Sequence, residues 1–279
     1  MSKRVIVHVD DVGMCHGANV ALAELSAAGA VDGGSVMVPC PWFSEVVAMA
    51  EHPGGLDLGI HLTLNSEKRH YRWRPLTSPS AASGLVDGDG FLWRTVAELR
   101  ANCHPEAAEA EMRAQIDLAH QRGVAVTHLD AHMFAALAPE YCDSYLRIGD
   151  AYGLPIMLTE RFDGRSMPRH LVGVDEEPYR EVLSRARASG RLVFDALIET
   201  DWRPTEAPRA TLERLFGQVG EGLTYMALHP TAPGELEFIE PDTAAVRIGE
   251  YETFCDPDFS EWIAELGLER VSWSQVAVR

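Results

Sequence analysis

Short apolar runs alternate along the chain with longer stretches whose apolar positions recur every three or four residues. Residues 5–9 read as a buried strand. Residues 17–28, with Ala18, Val20, Ala21 and Leu25 on one face, read as a helix that stops at Gly29. The same alternation predicts strands at 35–38, 58–64, 124–129, 154–158, 192–198 and 223–228, and helices at 44–50, 105–122, 139–152, 178–188 and 207–219. Pro105 suits a first helical turn and Gly123 a helix end. A further strand candidate lies at 268–271. Strands alternating with helices imply parallel β-α-β units. The number of strands predicts an α/β fold of the TIM-like (β/α) barrel type, distorted or incomplete, with a doubly wound open sheet as the alternative.

Three segments interrupt this rhythm, at 65–95, 160–177 and 230–243, and each follows a predicted strand. Both architectures build their sites at the carboxyl ends of parallel strands, so long insertions there are expected to serve a site. No repeat or linker divides residues 1–279, which predicts one domain with loop insertions.

Charge narrows the partners. The 24 Lys and Arg residues stand against 42 Asp and Glu, a formal charge of −18, and such a surface repels phosphate backbones and anionic lipid. Neither nucleic acid nor membrane is an expected partner, and no segment approaches the ~18 consecutive apolar residues of a membrane span. The cysteines (Cys15, Cys40, Cys103, Cys142, Cys255) are odd in number and widely spaced, without a Cys-x-x-Cys pair. They read as small buried hydrophobes. The opening Met1-Ser2-Lys3-Arg4 runs directly into a strand without a signal peptide's apolar stretch. Together these features lead us to expect a reduced, cytoplasmic setting.

Ionisable residues gather at the predicted strand ends. The first strand runs into Asp10-Asp11, the third contains His61, the fourth leads through His128, Asp130 and His132, and a later one ends in His229-Pro230. Alternation puts His61 opposite Ile60 and Leu62, and sets His128, Asp130 and His132 together on one side. Imidazole and carboxylate together suit borderline divalent ions, and three protein ligands with open positions are the pattern of a metal that activates water. Consecutive strand side chains point apart, so the two aspartates are expected to do different work.

Asp10-Asp11-Val12-Gly13, Gly59-Ile60-His61-Leu62-Thr63-Leu64 and Thr127-His128-Leu129-Asp130-Ala131-His132, in this order and spacing, resemble the YdjC-like carbohydrate deacetylases, a family that includes chitooligosaccharide deacetylases. The similarity continues through Leu228-His229-Pro230 to a last helix at 258–266. The resemblance implies a distorted TIM-like barrel and metal-dependent removal of N-acetyl groups from sugars. It puts the metal ligands on Asp11, His61 and His132, the general base on Asp10, and the late histidine on His229. Val12 stands where members often carry Phe, and Met133-Phe134-Ala135-Ala136 replaces further histidines that many members carry.

The expected cofactor is one divalent ion, Mg2+ or Zn2+, and the expected partner a small carbohydrate, with a homodimer compatible with the family. Asp130 and His128 are expected behind the ligands, since ligating histidines commonly pass their other N–H to a carboxylate. Tyr71-Arg72-Trp73-Arg74 combines aromatic faces with cationic donors that could grip a sugar, with packing as the competing role. Met14, Trp93, Phe134 and Trp202 are candidates by position. A metal-dependent isomerase or phosphoesterase, and a non-catalytic sugar-binding protein, are the competing functions; the motifs of nucleotide-binding loops and of serine hydrolases do not occur.

Overall fold

A computed structural model of the protein describes residues 2–51, 56–162 and 164–276. Its centre is β1 (Lys3–Val12), whose residues from Val5 onward are all buried. Both faces of this strand are covered, as expected for parallel sheets with helices on their faces. Around it lie β2 (Gly33–Val36), β3 (Leu58–Leu62), β4 (Val126–Ala131), β5 (Ala196–Glu199) and β6 (Gly222–Leu228) in the spatial order β4-β3-β2-β1-β6-β5, all pairs parallel. The short β7 (Glu269–Arg270) pairs with the start of β1, beside Arg4 and Val5. The expected last strand therefore adds no eighth stave.

The two edges of this sheet are bridged. Leu129 N–H donates to the Pro155 carbonyl at 2.9 Å and Met157 N–H to the Leu129 carbonyl at 2.8 Å. On the other side Phe194 N–H donates to the Leu158 carbonyl and Leu197 N–H to that of Arg161, both at 2.8 Å. Residues 155–161 thus lie between β4 and β5 and close the sheet into an incomplete, distorted α/β barrel. The strand expected at 154–158 is reduced to isolated pairings such as Leu129 with Ile156. Pro155 has no N–H to give a ladder, so a regular stave cannot form there.

One apolar cluster runs from Val5 to Trp273. Two helices absent from the sequence reading, Val96–Asn102 and Ala244–Phe254, are added to the layer around the sheet. The second escapes a hydrophobic pattern because its buried face includes Arg247, Glu250 and Thr253. No helix among the described residues is long and apolar enough to cross a membrane.

Candidate active site

The carboxyl ends of β1, β3, β4 and β6 converge on a cavity of about 290 Å³ whose wall includes Asp10, Asp11, His61, His132 and His229. Both aspartates face it, which simple alternation did not predict. The reason is backbone: Asp11 has φ 60°, a left-handed conformation rare for a non-glycine residue, and the pairing of β1 with β2 shifts register between Val9 and Val12. This irregularity turns the second carboxylate to the side of the first. Met133 and Phe134, directly after His132, are also left-handed, with φ 51° and 56°. All three strained non-glycine residues among those described therefore sit at this cavity, where such strain characteristically collects.

Asp11, His61 and His132 each offer a ligand atom, all within 4.8 Å of one another. Asp11 Oδ1 lies 3.3 Å from His61 Nε2 and 3.0 Å from His132 Nδ1. The other nitrogen of each imidazole is held by a carboxylate: His61 Nδ1 by Asp130 Oδ1 at 2.9 Å and His132 Nε2 by Glu67 Oε2 at 2.9 Å. Asp130 is the register partner of His61 across the β3–β4 ladder and also accepts from Ser35 Oγ and Tyr225 OH, each at 2.8 Å. Such backing fixes ring orientation and raises ligand basicity.

Charge explains what the cluster wants. Burial disfavours protonation of His61, yet Asp130 and Asp10 outweigh it and pull the imidazole well above its usual range. For His132 burial is likewise overcome, by Glu67 and Asp11. Burial alone would raise Asp11, but Arg247 and His132 hold its carboxyl well below the usual range. Asp10 differs: burial dominates over His61 and His8 and raises it. A divalent cation answers the same field that now favours protons on the two imidazoles. Two nitrogens, one carboxylate oxygen and two supporting carboxylates are a donor set that fits such an ion.

A ring of buried ion pairs surrounds the ligands. Arg247 Nη2 lies 2.8 Å from Asp11 Oδ2 and its Nε 3.2 Å from Glu240 Oε2, while Lys68 Nζ joins Glu240 Oε2 at 2.5 Å to Glu67 Oε1 at 2.8 Å. Glu67, Lys68, Glu240 and Arg247 were not singled out in the sequence. The first three lie in the insertions at 65–95 and 230–243, so the position of the insertions was the available signal.

His229 Nε2 is 4.0 Å from Asp10 Oδ2 and 3.9 Å from Asp11 Oδ2, and its Nδ1 is 2.8 Å from Thr200 Oγ1. Its ring meets the edge of Trp202 at 4.6 Å. Burial, reinforced by Arg247 and His61 against the pull of Asp11, holds it well below the usual histidine range, hence neutral. Phe134 and Trp202 also line the cavity, whereas Met14 and Trp93 do not.

His128 lies one imidazole away from this cluster. Its Nε2 faces His8 Nε2 at 2.9 Å, and His8 Nδ1 in turn reaches Asp10 Oδ1 at 2.8 Å. Tyr71, Arg72, Trp73 and Arg74 stand outside the cavity wall and organise their own loop. Tyr71 OH donates to the Met14 carbonyl at 2.7 Å, Trp73 Nε1 to that of Asn65 at 2.8 Å, and Arg72 pairs with Asp87 at 2.8 Å. Arg74 donates to the Gly90 carbonyl and lies over the Phe91 ring. These contacts pin the loop, and Tyr71 ties it to the segment that follows β1.

A profile of the family described as YdjC-like protein matches residues 4–265. A Thermus thermophilus protein named carbohydrate deacetylase is 37% identical over 164 residues, 59% of this chain but only 56% of that relative's length. A Thermoanaerobacter pseudethanolicus protein of the same name is 30% identical over 228 residues, 82% of this chain and 81% of that one. A solved Enterococcus faecalis V583 protein, named for cellobiose-phosphate cleavage, superposes with a TM-score of 0.79 at 20% identity, covering 100% of both chains, a likeness of fold.

Proposed function

The chain belongs to the YdjC-like protein family, and from that premise we propose that it is a metal-dependent carbohydrate deacetylase, hydrolysing the N-acetyl group of an acetylated amino sugar or short oligosaccharide. The observation that carries the proposal is the ligand cluster Asp11, His61 and His132, each imidazole backed by a carboxylate, beside the separate carboxylate of Asp10. A divalent ion, Mg2+ or Zn2+, held there supplies a Lewis acid and brings the pKa of water toward neutrality.

The chain's own groups divide the proton work. Asp10, raised by burial and oriented by His8, accepts the proton of the attacking water. His229 delivers a proton to the departing nitrogen from Nε2. Because burial keeps this imidazole neutral, the proton it passes on is replaced at Nδ1 from the Thr200 hydroxyl. Behind Thr200 stands Glu250, which accepts from the backbone N–H of His229 and whose carboxyl burial pushes up to about 7, so that in its protonated form it returns to Thr200 the proton that Thr200 gives to His229. Trp202 packs against the His229 ring at 4.6 Å and so fixes its position.

Metal-stripped protein resupplied with single metals, incubated with N-acetylated mono- and disaccharides, should release acetate and a free amine without phosphate release or isomerisation. Asp10→Asn and His132→Ala should each lose 10²-fold or more of that activity, the range expected for acid–base and ligand groups, roughly. Undiminished turnover in either variant removes the role given to that residue.

A further inference from the structure

Met133-Phe134 directly follows the ligand His132, and both residues are left-handed, at φ 51° and 56°. An L side chain is strained in that conformation, which glycine adopts freely. Two large apolar residues in succession at such angles persist only where the surrounding structure holds them there. Here the surroundings do so. Ala135, Ala136 and Leu137, just beyond, are fully buried. The Phe134 ring meets Phe162 edge to face at 5.7 Å, and Phe162 meets Tyr179 at 5.8 Å. Tyr179 is pinned through its hydroxyl, which donates to the Thr159 carbonyl at 2.9 Å and accepts from the Thr159 N–H at 3.0 Å. Phe134 is thus a backed wall, which a ligand cannot easily push aside.

That wall faces the metal site. Among the described residues lining the cavity, the apolar ones are Ala131, Met133, Phe134 and Trp202, the first three at or just beyond the end of β4. Trp202 belongs to another side: it packs on His229 at 4.6 Å, and the guanidinium groups of Arg169 and Arg247 lie over its ring at 4.8 and 4.9 Å. On the deacetylase reading, on which this inference rests, His229 faces the departing nitrogen, so the sugar hangs on the Trp202 side. The alkyl end of the acyl group leaves the scissile carbon away from that nitrogen. It needs uncharged neighbours, since apolar surface set against Asp10, Glu67 or Lys68 would strip those groups of solvent. We propose that Ala131, Met133 and Phe134 form the acyl subsite, and that the Phe134 ring is its end wall, which selects acetyl over longer N-acyl groups.

The strain then has a reason. Glycine at 133 and 134 would relieve the backbone and leave the subsite without a wall. With the wall braced by Phe162 and Tyr179, an added methylene on the acyl chain finds no room, and a misfit of that size costs about ten-fold or more in kcat/KM.

The test uses the full chain loaded with Zn2+, with Phe134→Leu and Phe134→Ala, each checked for fold by circular dichroism and melting. Calorimetry follows the binding of aceto-, propiono- and butyrohydroxamate, which chelate a metal ion and present the same acyl chains without turnover. Kinetics compare kcat/KM for one amino sugar carrying N-acetyl, N-propionyl or N-butyryl. In both readouts the wild type should favour acetyl over propionyl by about ten-fold and over butyryl by about 100-fold. Phe134→Leu should bring propionyl level with acetyl, and Phe134→Ala should bring butyryl level as well, whereas lost packing alone would lower all three alike. A wild type indifferent to chain length, or one that binds none of the hydroxamates, overturns the proposal. So does an unchanged ranking in the folded variants. If the wild type ranks the hydroxamates as expected but releases no acetate, the deacetylase reading fails and the acyl subsite stands. Acetate release without any ranking by chain length overturns the subsite alone.

Discussion

Gly59→Ala is a one-methyl change whose cost can be worked from the structure. The residue lies in β3 with no positive φ, so alanine is allowed by the backbone and should gain about 0.5–1 kcal/mol of propensity. Against this, the new Cβ would sit 2.3, 2.5 and 2.6 Å from three atoms of the His128 ring. Ordinary contact begins near 3.4 Å, so the ring must retreat by about 1 Å. It has nowhere to go. Trp273 stacks on its other face at 4.3 Å and is itself packed by Phe194 at 5.1 Å and Tyr225 at 5.7 Å, while both ring nitrogens are hydrogen-bonded.

Overpacking of this kind costs about 1–3 kcal/mol, and a ring blocked on every side belongs at the upper end. After the propensity gain, the net loss should be about 2 kcal/mol. Urea unfolding followed by circular dichroism should show it as a lower midpoint with unchanged slope. Repeating the substitution in a His128→Ala background removes the clash, so there Gly59→Ala should be neutral or stabilising, a coupling of about 2 kcal/mol. An unchanged midpoint in the wild-type background, or an equal loss in both backgrounds, refutes this account of why a glycine stands two residues before His61.

Glu67→Gln should weaken divalent-ion affinity about 10- to 100-fold, by loosening His132, and competition with a chromophoric chelator measures it. Arg247→Gln leaves Asp11 Oδ2 without its cation and Glu240 with Lys68 alone. It should destabilise metal-free protein by about 3–5 kcal/mol, with added divalent ion raising its melting temperature more than that of wild type. Glu250 is raised by burial to about 7, so between its ordinary range near 4.5 and that value the folded state holds a proton which the unfolded state has released. The sign follows: its contribution favours folding most at low pH and is lost as pH rises through that window, by roughly 3 kcal/mol at about 1.4 kcal/mol per unit. Glu250→Gln should flatten that part of the stability profile; a profile as steep as wild type excludes Glu250 as its source.

Strand ends were legible because they combine apolar runs with abrupt polar punctuation. Asp11, His61 and His132 could be assigned to one set of strand ends before any coordinates. What could not be read depends on backbone irregularity and on polar burial. Aspartate tolerates the left-handed conformation better than most residues, but that is too weak a signal to mark the turn at Asp11, so alternation wrongly separated the two aspartates. Pro155 spoiled a stave that its apolar neighbours advertised. The helix bearing Arg247 and Glu250 buries charged groups, so its inner face looks like an outer one to a hydrophobic pattern. Tyr71 to Arg74 left two uses open, since the residue types of a sugar platform also suit the pinning of a long loop, and the coordinates show their polar atoms engaged in the second.

The salt-bridged ring joins parts of the chain that are far apart in sequence. Asp11, His61, Glu67 and His132 lie within residues 11–132, but the guanidinium that pairs with the second oxygen of Asp11 is carried by residue 247. One part of the chain thus supplies the ligands and another balances their charge. The field at the ligands is therefore complete only where the helix bearing Arg247 is docked, which makes a helix remote in sequence a determinant of how the centre holds a cation.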